Sequence, residues 1–182
     1  MALERTGQVA RAVAVYQDAI NRGLSTDIMN ARLGKLYLRL HQPDKAVDAM
    51  NRADQINPTD GGNLRALGYT QLQLGRVAEA EKVFKAIIIQ NDHYSAAYNG
   101  LGLMAIKHGD REAACRDFEK AFELDPSDLE PLLNLGVFCE TAGDKSMALY
   151  YYQESLNKAS PKDYGDLIPK VRSAVQELKS GA

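Results

Sequence analysis

Three histidines, two cysteines and a run of three tyrosines are the side chains of this 182-residue chain whose types invite a chemical reading. His41, His93 and His108 each sit near a turn signal, and no His-x-x-x-His or carboxylate–histidine spacing joins them. Neither metal ligation nor general acid–base work is therefore expected of them. Cys115 and Cys139 form no metal or redox motif and fall on apolar helical faces, where small free thiols act as core fillers. Arg111, Arg116 and Asp117 lie near Cys115 in sequence and would alter its thiol, but burial is the stronger expectation. In Tyr150-Tyr151-Tyr152, consecutive helical residues point about 100° apart. One or both of Tyr150 and Tyr151 must then be partly exposed, as an interaction anchor or as cover for the C-terminal end. No catalytic residue, cofactor or metal site is expected, and the chain does not read as an enzyme.

Bulk composition narrows the partners. With 22 basic and 24 acidic residues the net charge is -2, which favours neither nucleic acid nor an anionic membrane. Residues 95–128 hold 4 basic and 7 acidic side chains, a mild acidic bias that reads as a solvated face. The longest apolar runs are a few residues, such as Ala86-Ile87-Ile88-Ile89, against the ~20 that a membrane-spanning helix needs. Arg5, Gln8, Arg11 and Gln17 interrupt the first twenty residues, so they lack a signal peptide's apolar core. A cytoplasmic location is the expectation, or a periplasmic one if a leader has been removed.

The organisation that must position any site is a 34-residue period. Ala12, Ala46, Ala80, Ala114 and Ala148 keep that step, as do Leu33, Leu67, Leu101 and Leu135, each followed by glycine. Tyr16, Met50, Phe84, Phe118 and Tyr152 form a bulky column at the same interval. Such a period marks an array of one supersecondary unit, in which function lies on a surface built from several repeats. Four full repeats are expected at 27–60, 61–94, 95–128 and 129–162, each of two helices. In the third, Ala97, Leu101, Met104 and Ala105 stripe one helix, and Gly109-Asp110 ends it with Asp110 placed to cap the next. Pro43 stands where a helix's first turn accepts proline. Gly34, Gly68, Gly102 and Gly136 lie inside first helices, where glycine costs about 1 kcal/mol against alanine. A cost repeated four times implies close approach of the bulky column to each glycine.

These columns resemble the tetratricopeptide repeat. The third repeat reads Tyr98, Leu101-Gly102, Ala105, Ala114, Phe118, Ala121 and Pro126, and the first Asn30, Leu33-Gly34, Tyr37, Ala46, Met50, Ala53 and Pro58. The second and fourth depart at the end, with Asp92 and Ser160 in place of proline. The resemblance covers residues 3–162 and implies an all-α fold, a right-handed superhelical solenoid of antiparallel helix pairs. It also implies a concave groove lined by first helices that takes a protein or peptide partner. Groove-facing residues would be Lys35, Arg39, Arg65, Tyr69 and Gln73, then Asn99, Leu103, Ile106, Lys107, Leu133, Asn134 and Val137. That set is basic at its N-terminal end and apolar beyond. The carboxylate clamp of the chaperone-binding sub-family, Lys, Asn, Asn, Lys and Arg in order, is matched in neither register: Ala31, Lys35, Ala66, Ala96 and Gly100, or Arg65, Tyr69, Gly100, Glu130 and Asn134.

The ends differ from the middle. Residues 1–26 read as a partial repeat, its second helix at 7–22, with Leu3-Glu4-Arg5 as the last turn of a preceding helix in a longer protein, or else as a natural start at Met1 with an abbreviated cap. Residues 163–182 read as an amphipathic capping helix carrying Leu167, Ile168, Val171, Val175 and Leu178. Three functions follow as expectations. The first is a non-catalytic interaction scaffold binding a peptide in the groove. The second is self-association as a homodimer through an N-terminal stripe, Val9, Val13, Tyr16 and Ile20, left exposed for want of a partner helix. The third is a partner-recruiting arm of a larger enzyme or assembly factor.

Overall fold

The computed structural model describes residues 2–58, 60–160 and 164–180, with side chains from Gly7 onward. The described chain is helical, with no strand among these residues, and divides into two compact units, Met1–Asp92 and His93–Ala182. The first unit runs α1 (Ala2–Asn21), α2 (Asp27–Arg39), α3 (Pro43–Ile56), α4 (Gly61–Gln73) and α5 (Val77–Gln90). The second runs α6 (Ser95–His108), α7 (Arg111–Leu124), α8 (Glu130–Thr141), α9 (Lys145–Lys158) and α10 (Ile168–Ser180). Within each unit, helices that follow one another through a short turn pack side by side and so run antiparallel.

Close approach at the glycines makes the pairs. A Cβ built on Gly34 would lie 2.8 Å from Met50 Cγ, one on Gly68 2.8 Å from Phe84 Cε1, and one on Gly102 2.7 Å from Phe118 Cδ1. On Gly136 it would run into Tyr152 Cε1 and sit 2.5 Å from Cδ1. Carbon atoms normally rest about 3.5–4.0 Å apart, so each ring or thioether occupies the space a side chain would need. Met50, Phe84, Phe118 and Tyr152 are all buried there. The alanine column is fully buried alongside, from Ala46 through Ala148.

Turn chemistry repeats with the same step. His41, Gly75, Gly109 and Gly143 take positive φ values of 55, 74, 77 and 81°. Only the first is not glycine. Pro43 opens α3, Asp110 accepts from the Ala113 N–H at 2.9 Å, and Asp144 accepts from Met147 N–H at 3.0 Å. The two aspartates satisfy helix-start donors that would otherwise lack partners, and Pro43 has no N–H to satisfy.

The two ends add single helices. α1 is continuous from Ala2, ahead of the helix expected at 7–22, and Gly7 lies inside it. The side chains of Leu3, Glu4 and Arg5 lie outside the described residues, and so does the expected boundary at 162/163. α10 packs on α9, burying Val171 and Val175 against a core that also holds Leu132, Leu135, Ala148 and Tyr152. Ahead of it, the Tyr164 hydroxyl accepts from the Leu129 N–H at 3.1 Å and donates to the Ser127 carbonyl at 3.0 Å.

Candidate interaction surface

First helices carry most of the candidate binding residues, and their surroundings sort them. In the second unit α6 and α8 lie together. Leu103, Ile106 and Leu133 are half-buried, resting on the core beneath, while Val137 is 52% exposed. Lys107 is exposed in the last turn of α6. Asn99 departs from the expectation of a groove-facing contact: it is 1% exposed, and its Oδ1 accepts from Asn134 Nδ2 at 2.9 Å. A buried amide that ties α6 to α8 is a positioning group and offers a partner nothing directly. Asn134, half-buried above it, keeps one edge near the surface.

In the first unit Lys35, Arg39, Arg65 and Gln73 are exposed, and none of the three cations forms an ion pair within the described residues. Tyr69 is half-buried and stands edge-on to Phe84, with centroids 5.2 Å apart at 76°. Among the second unit's candidates the exposed side chains are one cation, Lys107, and one apolar residue, Val137.

The N-terminal stripe is corrected by the packing. Val9 and Val13 are only 6% and 8% exposed, and Val13 sits in a core cluster with Leu33, Tyr37, Ala46 and Ala49. Tyr16 and Ile20 pack against the same cluster. Arg32 donates to the Tyr16 hydroxyl at 3.4 Å and Gln17 to the Tyr37 hydroxyl at 2.7 Å. α2 is the partner that the stripe was expected to lack, so these four side chains are not an open self-association surface.

Potential nucleophiles are quiet. Burial pushes the Cys139 and Cys115 thiols up, the opposite of activation, and no three His, Cys, Asp or Glu side chains cluster for a metal among the described residues. Of the tyrosine run, Tyr150 is 55% exposed while Tyr151 and Tyr152 are buried. Burial, followed by the nearby Glu119 carboxylate, raises Tyr151 to about 12. Burial and the 2.7 Å hydrogen bond to Glu140 raise Tyr152 as well. No described helix is long and apolar enough to cross a membrane.

What sequence reasoning missed is a cleft of about 500 Å³ between α7, the end of α8 and the start of α9, reaching Cys115, Phe138, Ala142 and Met147. Its signal was present as a difference between repeat columns.

Comparison with known proteins matches the same architecture. Family models described as tetratricopeptide repeat match residues 1–61, 37–102 and 95–128, and so together run over more than half of the chain. Cellulose synthase operon protein C of Komagataeibacter xylinus is 35% identical over 95 residues, which is 50% of this chain and 7% of that protein. The chain thus spans less than a tenth of the length of that relative. Among solved structures, PilW, described as a type IV pilus biogenesis factor, superposes with a TM-score of 0.73 at 21% identity, covering 99% of this chain and 88% of that one. YrrB, described as a TPR protein with an unusual peptide-binding site, gives 0.63 at 20% identity, covering 86% and 80%. Those likenesses show the fold, an all-α TPR solenoid. Repeat period, glycine seats and family models agree, and the chain belongs to the tetratricopeptide-repeat family.

Proposed function

We propose that this chain is a non-catalytic interaction scaffold whose first-helix faces hold an extended peptide or protein segment. The family is one of protein-interaction scaffolds, and YrrB is described as having a peptide-binding site. The observation that carries the reading is the α6–α8 face. Val137 is exposed on α8 one turn after half-buried Leu133, α6 carries half-buried Leu103 and Ile106, and an Asn134–Asn99 hydrogen bond ties the two helices. Apolar side chains at such a face supply affinity at about 25 cal/mol per Å² before the costs of association. In the first unit, Lys35, Arg39 and Arg65 select an acidic segment and set its direction.

A random-peptide display selection against the chain tests the reading. Peptides enriched for apolar residues that lose binding to Val137→Asp, while the variant melts with the parent, support it. Enrichment that is indifferent to Val137→Asp and to Lys35→Glu/Arg39→Glu sinks it. A second reading makes the array the partner-recruiting arm of a larger protein, favoured by the 7% share of its length over which cellulose synthase operon protein C matches.

A further inference from the structure

The 34-residue register lets one half of the chain serve as a template for the other. α7, α8 and α9 follow each other as α3, α4 and α5 do, with Glu112, Ala142 and Asp144 standing 68 positions after Asp44, Leu74 and Arg76. In the first unit that junction is filled and fastened. Leu74 and Val83 pack against Val47, Met50 and Leu67. Arg76 Nη2 meets Asp44 Oδ1 at 2.5 Å across the mouth.

In the second unit both fastenings are gone. Alanine replaces the leucine, and Ala142 is exposed. Asp144 replaces the arginine, so two carboxylates, Glu112 and Asp144, line the opening where opposite charges met before. The cleft of about 500 Å³ lies there, with apolar walls from Phe138, Met147 and the two cysteines. Its own cations do not close it. Arg116 reaches Glu112 only at 3.8 Å and one turn along its own helix α7, so it bridges nothing across the opening. Arg111 instead lies over the Phe138 ring, 5.5 Å from its centroid.

We propose that this cleft docks a partner segment offering a leucine-sized aliphatic side chain and, two residues later, an arginine or lysine. The partner supplies from outside what Leu74-Gly75-Arg76 supplies within the first unit. Its aliphatic side chain fills the volume that Ala142 leaves, and its cation lies between Glu112 and Asp144. This site is separate from the α6–α8 face, since Val137 does not line it.

The test titrates the full chain with acetyl-Leu-Gly-Arg-amide, followed by amide NMR shifts. Acetyl-Ala-Gly-Arg-amide and acetyl-Leu-Gly-Glu-amide are the controls. Saturable shifts at Cys115, Phe138, Ala142 and Met147 in the millimolar range are expected, with both controls about fivefold weaker or more. A chain carrying Ala142→Leu and Glu112→Arg puts a leucine back at that corner of the cleft and restores opposite charge while keeping the Asp144 cap. It should melt at or above the parent and lose the shifts. Ala142→Leu alone gives the same comparison if the pair does not fold. Absence of shifts at these residues, equal response to all three peptides, or a response untouched by filling overturns the proposal.

Discussion

Gly102→Ala separates two effects that usually travel together. Alanine in a helix interior gains about 1 kcal/mol over glycine. Here the added methyl would lie 2.7 Å from Phe118 Cδ1 and Cε1 and 3.0 Å from Cγ, about 1 Å inside ordinary contact. The ring is fully buried and cannot swing away freely. Overpacking of this kind costs about 1–3 kcal/mol, so the net change is a destabilisation of about 1 kcal/mol, or roughly 2–4 °C in Tm. Gly7→Ala is the internal control, because it is helical and nothing lies within 4 Å of its added Cβ. That variant should gain the propensity term in full. Urea unfolding read by circular dichroism at the helical band measures both. Coupling is then tested with Phe118→Leu, which makes room: Gly102→Ala should cost less in that background than in the parent, by about 1 kcal/mol or more. If Gly102→Ala and Gly7→Ala both stabilise equally, or if the Gly102–Phe118 cycle is additive, close approach is not why the column is glycine.

Three further perturbations follow from single residues. His41→Gly should raise stability by about 0.5–1 kcal/mol in thermal melts, because His41 holds φ at +55° where its glycine counterparts pay no steric cost. Tyr164→Phe removes both of that hydroxyl's hydrogen bonds and leaves the Leu129 N–H without that acceptor, lowering the stability measured by urea unfolding by about 1–2 kcal/mol. In alkali, Tyr151 stays protonated to about pH 12 in the folded chain but ionises near 10 when unfolded. Its contribution is whole below pH 10 and is lost as pH rises toward 12, so Tyr151→Phe should flatten the fall in Tm over that window.

Periodicity carried most of the fold because its cause is local. The glycine and bulky columns meet 16 residues apart, as Gly102 does with Phe118, and that contact needs only a helix, a turn and a second helix. Asp110 and Pro43 could be placed for the same reason. Burial that depends on a third helix was harder to read. Asn99 looked like a surface residue because nothing in the spacing says that Asn134 reaches back to it. Val13 looked unpartnered because α1 offers no full repeat, yet α2 covers it. The cleft escaped for a different reason: Ala142 and Asp144 fit a helix end as well as Leu74 and Arg76 do, and only packing shows what their exchange removes.

Tyr164 also bears on the order in which the chain can fold. Its bond to the Ser127 carbonyl joins residues 37 apart, and the Asn134–Asn99 and Arg76–Asp44 contacts span 35 and 32. Native contacts so short in sequence mean low contact order and little loop-closure entropy to overcome before the reward arrives. A growing chain need not wait for its far end. Gly102 can receive Phe118 as soon as the second helix of that pair has left the ribosome, and α6–α7 can close while Tyr164 is still to be made. Tyr164 then arrives after them, locking a turn formed by residues synthesised well before it.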